Sequence, residues 1–400
     1  REGAAAGVGC GRGNVEHGCD GVEGVGCERI SFYVGTSPLF PWTSWLMPLP
    51  TEPIGSIPRP PELLEAIQAF NDGAIPQADV NAQYDAAIQS TIERFEDTAS
   101  PVITDGEQAK PSFATYPIAD VPNLAPDGLE IPFDDGHVRH LPRLTEGPFR
   151  YDTYAANYLT TAQKYAHRPV KQAVISASAL SLLYPDDGID GYPRDAFLDD
   201  LVDEAETDIR QCLDAGAHAV QIDVTEGRLA VKLDPSGNLL RSFVDLNNRV
   251  LDRFTEAERT RIGVHTCPGG DRDATHSAGV DYADLLPDLF QIDAGRFYMQ
   301  FASEEAPEHV LDVVRKSRQE HQTIFLGVID VNHPRVEHPE EVRDTVLRAA
   351  DVLPVDHLGT TDDCGFSPFG DDRSTARDTA FAKIEARVEG TMMAATELGL

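Results

Sequence analysis

The stretch Arg261-Ile-Gly-Val-His-Thr-Cys-Pro-Gly-Gly270 decides how the chain is read. It is a short apolar strand that delivers His265 and Cys267, then stops at Pro268 and two glycines. Residues i and i+2 of an extended chain share a side, so the imidazole and the thiol leave one face together. A second thiol, Cys364, ends a similar run in Gly359-Thr-Thr-Asp-Asp-Cys-Gly-Phe366. Nitrogen and sulfur ligands from separate strand ends suit zinc, and a catalytic zinc keeps one position open. Taken singly, the same residues also read as small buried hydrophobes and a hydrogen-bonded core histidine.

The pattern repeats on both sides of this strand. Short strands are expected at 52–57, 101–107, 171–176 and 219–223 before it, and at 297–301, 323–330 and 357–361 after it. Helical patterns fall at 61–70, 78–95, 151–166, 193–215 and 240–254, then at 283–290, 307–319, 339–352 and 375–398. Residues 110–150 are rich in Pro, Gly and Asp and read as a hairpin-bearing insertion after the second strand. A second hairpin excursion is expected through 232–238. Eight strands, nearly all followed by helices and apolar enough for burial on both faces, predict an α/β fold of the (β/α)8 TIM-barrel type, a single domain over residues 47–400. The alternative, an open doubly wound sheet, would carry a glycine-rich phosphate loop after an early strand, and the sequence has none. In a barrel the carboxyl ends of the strands form one mouth. Ser56, Glu107, Asp223, His265, Cys267, Gln300, Asp330 and Cys364 would meet there.

Composition narrows the function. The 400 residues are 41% hydrophobic, enough for a large core, and carry a net charge of -34. So acidic a chain repels nucleic acid and anionic membrane surfaces. No run of 18 apolar residues and no secretory pattern is found, so cytoplasmic residence is expected. The acidic surface also fits a high-salt cytoplasm, where self-repulsion is screened. Of six cysteines, Cys10, Cys19 and Cys27 sit in a glycine-rich leader and Cys212 lies mid-helix, a spacing that suggests ligands or core rather than disulfides. The leader, residues 1–46, has no periodicity and reads as disordered or as upstream sequence, with Met47 as an initiator.

With these motifs in this order, the chain over residues 49–398 resembles the catalytic barrel of cobalamin-independent methionine synthase. The resemblance implies that Ile54-Gly55-Ser56 holds the carboxylate of an amino-acid thiol, homocysteine, and that Glu107 and Asp223 grip its ammonium group. It implies zinc (Zn2+) on His265, Cys267 and Cys364. Where family members carry a Glu as the remaining ligand, this chain has Gln300 in Met299-Gln-Phe-Ala-Ser303. The family's acidic histidine after strand seven meets Asp330-Val-Asn-His-Pro334, where His333 is displaced by one and stands as a shifted general acid. The family's amino-terminal barrel has no counterpart here, and its pteridine-stacking tryptophan falls near Leu183-Tyr184. The donor is therefore open: a folate, a corrinoid methyl-carrier protein as partner, or a small methylated compound.

Two other readings stand beside it. Epoxyalkane:coenzyme M transferases, single-barrel relatives with a similar zinc motif, open an epoxide with a thiolate and need no folate pocket. Barrels resembling uroporphyrinogen decarboxylase work without metal. Among further residues, Glu107 and Asp223 could instead pair with Arg59 or Arg228. Asp271, Asp273 and His276 could support the ligands. Of Asp362 and Asp363, one is expected to orient His265 and the other to be salt-bridged. Tyr298 is expected to pack in the core.

Overall fold

The computed structural model describes residues 47–132, 138–267 and 279–400. The expected leader, and Asp271, Asp273 and His276, lie outside the described residues.

The first two expected strands are extended segments rather than ladder strands. Thr51 makes a single parallel bridge to Thr360, and Ile103 makes one to Val170. The Ile57 N–H reaches the Gly106 carbonyl at 3.0 Å, which joins the two segments. Prolines 50, 53 and 58 remove donors from the first segment. The Thr104 hydroxyl, not a backbone amide, takes the Gly55 carbonyl at 2.8 Å. Helices α1 (Pro61–Asn71) and α2 (Gln77–Asp97) connect the two segments.

The expected insertion carries an antiparallel hairpin, β1 (Leu124–Pro132) with β2 (Val138–Leu144). Beyond it come α3 (Ala156–Ala162) and the first full strand of the main sheet, β3 (Gln172–Ile175). The chain then alternates through α4 (Ala177–Leu180), α5 (Arg194–Asp214) and β4 (Val220–Asp223). After it follow α6 (Gly227–Leu233), α7 (Asn238–Leu251), α8 (Glu256–Arg259) and β5 (Ile262–Thr266). The rest is α9 (Tyr282–Leu289), β6 (Arg296–Met299), α10 (Pro307–Ser317), β7 (Thr323–Gly327), α11 (Pro339–Ala350), β8 (Leu358–Thr361) and α12 (Arg377–Glu397).

Strands β3 to β8 form a six-stranded parallel sheet in sequential order. Their residues are buried almost throughout, which is why the sequence shows continuous apolar runs instead of alternation. Helix α7 shows the complementary pattern, burying Leu240, Phe243, Val244, Asn247, Val250 and Leu251 at helical spacing. The architecture is α/β, and the parallel sheet is consistent with a barrel.

The expected hairpin at 232–238 is wrong. Asp234-Pro-Ser-Gly237 is a helix-to-helix turn between α6 and α7. The Asp234 carboxylate accepts from the Ser236 N–H at 3.1 Å and the Leu239 N–H at 2.9 Å, so it holds the start of α7. Gly237, with φ of 74°, supplies the left-handed residue just before that helix.

Candidate metal centre

Strand β5 positions His265 one residue before its end and Cys267 one residue after it, while Cys364 lies three residues past β8. Their ligand atoms lie within 4.8 Å of one another, and all three side chains are buried. The two sulfurs are 2.8 Å apart, well beyond a disulfide bond of about 2.05 Å. They form no disulfide.

Parallel register places Asp223 of β4 directly beside His265. The Asp223 carboxylate faces His265 Nδ1 at 3.1 Å, which leaves Nε2 as the lone-pair nitrogen. Nε2 is buried and has no hydrogen-bond partner among the described residues. Buried polar atoms seldom lack a partner unless something else binds them. One imidazole nitrogen and two sulfurs, converging and buried, therefore fit a metal ion that takes nitrogen and sulfur ligands. Burial disfavours a charged imidazole, yet Cys267 and Asp223 push the His265 pKa up to about 10, so the ring without an ion carries a second proton on Nε2, which a bound ion would displace. Contact with Cys267, together with burial, pushes the Cys364 thiol well up.

Gln300 follows β6 directly. Its amide nitrogen donates to Glu304, and its oxygen is buried with no partner among the described residues. Glu304 is in turn 3.6 Å from Arg228.

A cavity of about 360 Å³ adjoins the centre. His265, Cys364, Asp223, Glu107, Ser56 and Ile54 line it together. The hairpin contributes Leu129, Ile131, Val138 and Leu141, and Phe113, Leu180, Leu182 and Phe369 complete an apolar wall. Gly55, Cys267, Gln300 and His333 do not line it. His333 is exposed, and its Nδ1 accepts the Arg335 N–H at 3.1 Å. Ser56 accepts the Ser367 N–H at 3.1 Å. A Cβ on Gly365 would come within 2.1 Å of the Ser56 hydroxyl oxygen, so a glycine is required opposite it.

Glu107 sits in a left-handed turn, with φ of 55°. In this sparsely populated conformation the residue lines the cavity. Its partner is neither Arg59 nor Arg228 but Lys110, at 3.0 Å and fully buried. Lys110 also donates to the Ala173 carbonyl at 2.9 Å. Arg59 holds the loop by its backbone, donating to the carbonyls of Glu107, Lys110 and Phe369 at 2.8, 2.6 and 2.9 Å. Burial raises the Glu107 pKa, with Lys110 opposing it. Lys110 escaped the sequence reading because only the left-handed turn brings position i+3 back onto the carboxylate.

Neither Asp362 nor Asp363 orients His265; Asp223 does. Asp362 is salt-bridged to the buried Arg387 of α12, as expected for one of the pair. Asp363 accepts the N–H groups of Phe301, Ala302 and Ser303 at 2.8, 2.9 and 2.8 Å. It thereby ties the loop that follows Gln300 to the residue before Cys364. Tyr298 packs against Ile54 and Phe325 in the core and donates to Glu52 at 2.7 Å.

Fold and site together describe an α/β protein with a buried His–Cys–Cys centre opening on a substrate-sized cavity. The family profile "Cobalamin-independent synthase, Catalytic domain" matches residues 49–385. The chain belongs to this cobalamin-independent methionine synthase family, a family of methyltransferases. A methionine synthase of Sulfurisphaera tokodaii is 21% identical over 88% of the chain and 94% of its own length. A 5-methyltetrahydropteroyltriglutamate–homocysteine methyltransferase of Nitratidesulfovibrio vulgaris is 26% identical over 79% of the chain, a match spanning 38% of that longer protein. A solved B12-independent methionine synthase from a Shewanella species, bound to selenomethionine, superposes with a TM-score of 0.68 at 18% identity. That superposition covers 88% of this chain and 98% of the other. Among the described residues, no helix is long and apolar enough to cross a membrane.

Proposed function

We propose that the protein is a zinc-dependent thiol S-methyltransferase that methylates homocysteine on a sheet closed into a (β/α)8 barrel by its two bridged amino-terminal segments. The observation that carries this reading is the convergence of the buried His265 Nε2, which has no hydrogen-bond partner among the described residues, with the Cys267 and Cys364 sulfurs beside a cavity lined by Ser56, Glu107 and Asp223. His265, Cys267 and Cys364 would hold the ion, and the buried oxygen of Gln300 is a fourth candidate donor. When bound, zinc supplies a Lewis acid that keeps a substrate thiol in its thiolate form at neutral pH.

The chain's own groups do the rest. Asp223 keeps the proton of His265 on Nδ1, and so keeps Nε2 directed at the thiols. The carboxylates of Glu107 and Asp223 face the cavity, where an acceptor ammonium would meet them, and the 54–56 segment offers its edge to the acceptor carboxylate. The apolar wall excludes water from the reacting carbon. A sulfur–carbon bond forms as the carbon–donor bond breaks, the bonding pair stays on the departing donor, and the proton of the acceptor thiol passes to solvent, from which a nitrogen leaving group would take one up. His333, on the exposed loop after β7, would serve as general acid only if that loop folds over the mouth. The three cysteines among the described residues are buried and form no disulfide, which suits a reducing, cytoplasmic setting.

Metal analysis and a product screen test the proposal. Purified protein is expected to carry about one zinc per chain. Cys364→Ser should lose it while remaining folded, and zinc-loaded protein should methylate homocysteine from a folate, a methylated corrinoid or a small methyl donor. An absence of zinc binding would refute the metal reading. Turnover of coenzyme M with an epoxide, and none of homocysteine, would refute the acceptor.

A further inference from the structure

The sheet interior beside the candidate ligands holds two polar side chains, Gln221 and Lys171, to which the proposed reaction assigns no role, and both connect to Asp223. Gln221 and Asp223 lie at i and i+2 on β4 and so share a face. The Gln221 amide nitrogen donates to Asp223 at 2.8 Å, and its oxygen accepts from Lys171 Nζ at 2.8 Å. Lys171 is itself fully buried, 3.8 Å from Glu52 and 3.9 Å above the Tyr298 ring.

The donor and acceptor inventory leaves one arrangement. A carboxylate only accepts, so Gln221 must turn its NH2 to Asp223 and its oxygen to Lys171 Nζ, which donates to it. An ionised Asp223 only accepts, so the proton it faces on His265 belongs to Nδ1. Gln221 and Lys171 are 0% exposed, so no bulk water competes for these roles.

We infer that Lys171 and Gln221 are positioning residues for the metal centre: through Asp223 they fix the tautomer and the ring orientation that present His265 Nε2 to the ion. The inference rests on the metal reading of His265, Cys267 and Cys364 given above. Partners that orient a ligating histidine typically account for 10- to 100-fold in metal affinity, and a partner one bond further out should lie near the lower bound.

The test uses zinc and Co²⁺ alone as probes, with affinity from chelator competition and the visible ligand-field bands of the Co²⁺-loaded protein. Gln221→Met, similar in volume but unable to hydrogen-bond, is expected to weaken metal binding about tenfold and to shift the Co²⁺ bands. Lys171→Met should act in the same direction. Tyr298→Phe is the structural control: it loses its hydrogen bond to Glu52 but keeps the ring beneath Lys171. It should lower the unfolding temperature and leave affinity and bands unchanged. Wild-type affinity and bands in Gln221→Met, or equal losses in Gln221→Met and Tyr298→Phe, would overturn the inference alone. Failure of the wild-type protein to take up either ion would overturn the metal reading and this inference with it.

Discussion

Asp363→Ala should destabilise the protein by about 3 kcal/mol, and the figure follows from where its three hydrogen bonds go. Phe301 is buried, so its N–H, now 2.8 Å from the carboxylate, would find no new partner. An orphaned buried donor costs about 1–3 kcal/mol. Ala302 and Ser303 are exposed and can turn to water, so each loses only about 0.5–1 kcal/mol. One offset acts the other way. Burial pushes the Asp363 pKa up to about 7 against those N–H donors, so removing the carboxylate also relieves some desolvation. Asp363→Asn keeps an oxygen for Phe301 and Ala302 and turns its NH2 toward Ser303, so about 1–2 kcal/mol is expected. Gly327 gives an independent check, because a Cβ there would meet Asp363 Oδ1 at 2.1 Å. Gly327→Ala should therefore cost less in the Asp363→Ala background than alone, by at least about 1 kcal/mol, with the Met299 carbonyl at 2.8 Å limiting the rescue. Urea unfolding of the metal-free proteins measures all four variants. A loss below about 1 kcal/mol for Asp363→Ala, or strict additivity with Gly327→Ala, would refute the reasoning.

Glu52 lies 2.5 Å from Arg296, 2.7 Å from the Tyr298 hydroxyl and 3.2 Å from His218, and is itself buried. Glu52→Gln strands these partners and should cost about 3–5 kcal/mol by urea unfolding; a near-neutral effect would mean that the cluster is hydrated. Burial raises the Asp208 pKa from the usual 3.8 to about 6, opposed by bonds from Tyr116 and Ala155. The folded state then holds a proton that the unfolded state releases, so this stabilisation is full below pH 3.8 and is lost as pH rises through about 6. The stability of wild type minus that of Asp208→Asn should fall across this window, and a flat difference would contradict the assignment. With a net charge of -34, the thermal midpoint should rise as KCl is raised from about 0.1 to 2 M, and a constant midpoint would show that self-repulsion is negligible.

Much of this molecule was legible before any coordinates, for identifiable reasons. Strands β3 to β8 are apolar runs closed by turn residues, and burial on both faces leaves that signature regardless of context. The first two segments look the same in sequence, but prolines remove donors that a ladder would need and the Thr104 hydroxyl takes the Gly55 carbonyl. Asp234-Pro-Ser-Gly237 reads equally as a hairpin turn or a helix start, and only the reach of Asp234 to Leu239 decides it. His265, Cys267 and Cys364 were readable because strand periodicity is local. The Asp223–His265 contact was not, since it depends on the register of two strands 42 residues apart. The Lys110–Glu107 pair was hidden by a backbone conformation that glutamate seldom adopts.

The hairpin bears on how such a protein can change. It is a two-stranded sheet of its own, paired within itself and not with the parallel sheet. Leu129, Ile131, Val138, Arg139, His140 and Leu141 bring it to the cavity wall, yet it supplies none of the three candidate ligands. What the cavity admits and what holds the reactive centre are thus written on separate pieces of chain. Substitutions in residues 124–144 can retune selectivity while the ion-holding side chains keep their strands, their register and their hydrogen bonds. A lineage, or an engineer, can alter the lock here without recasting the bolt.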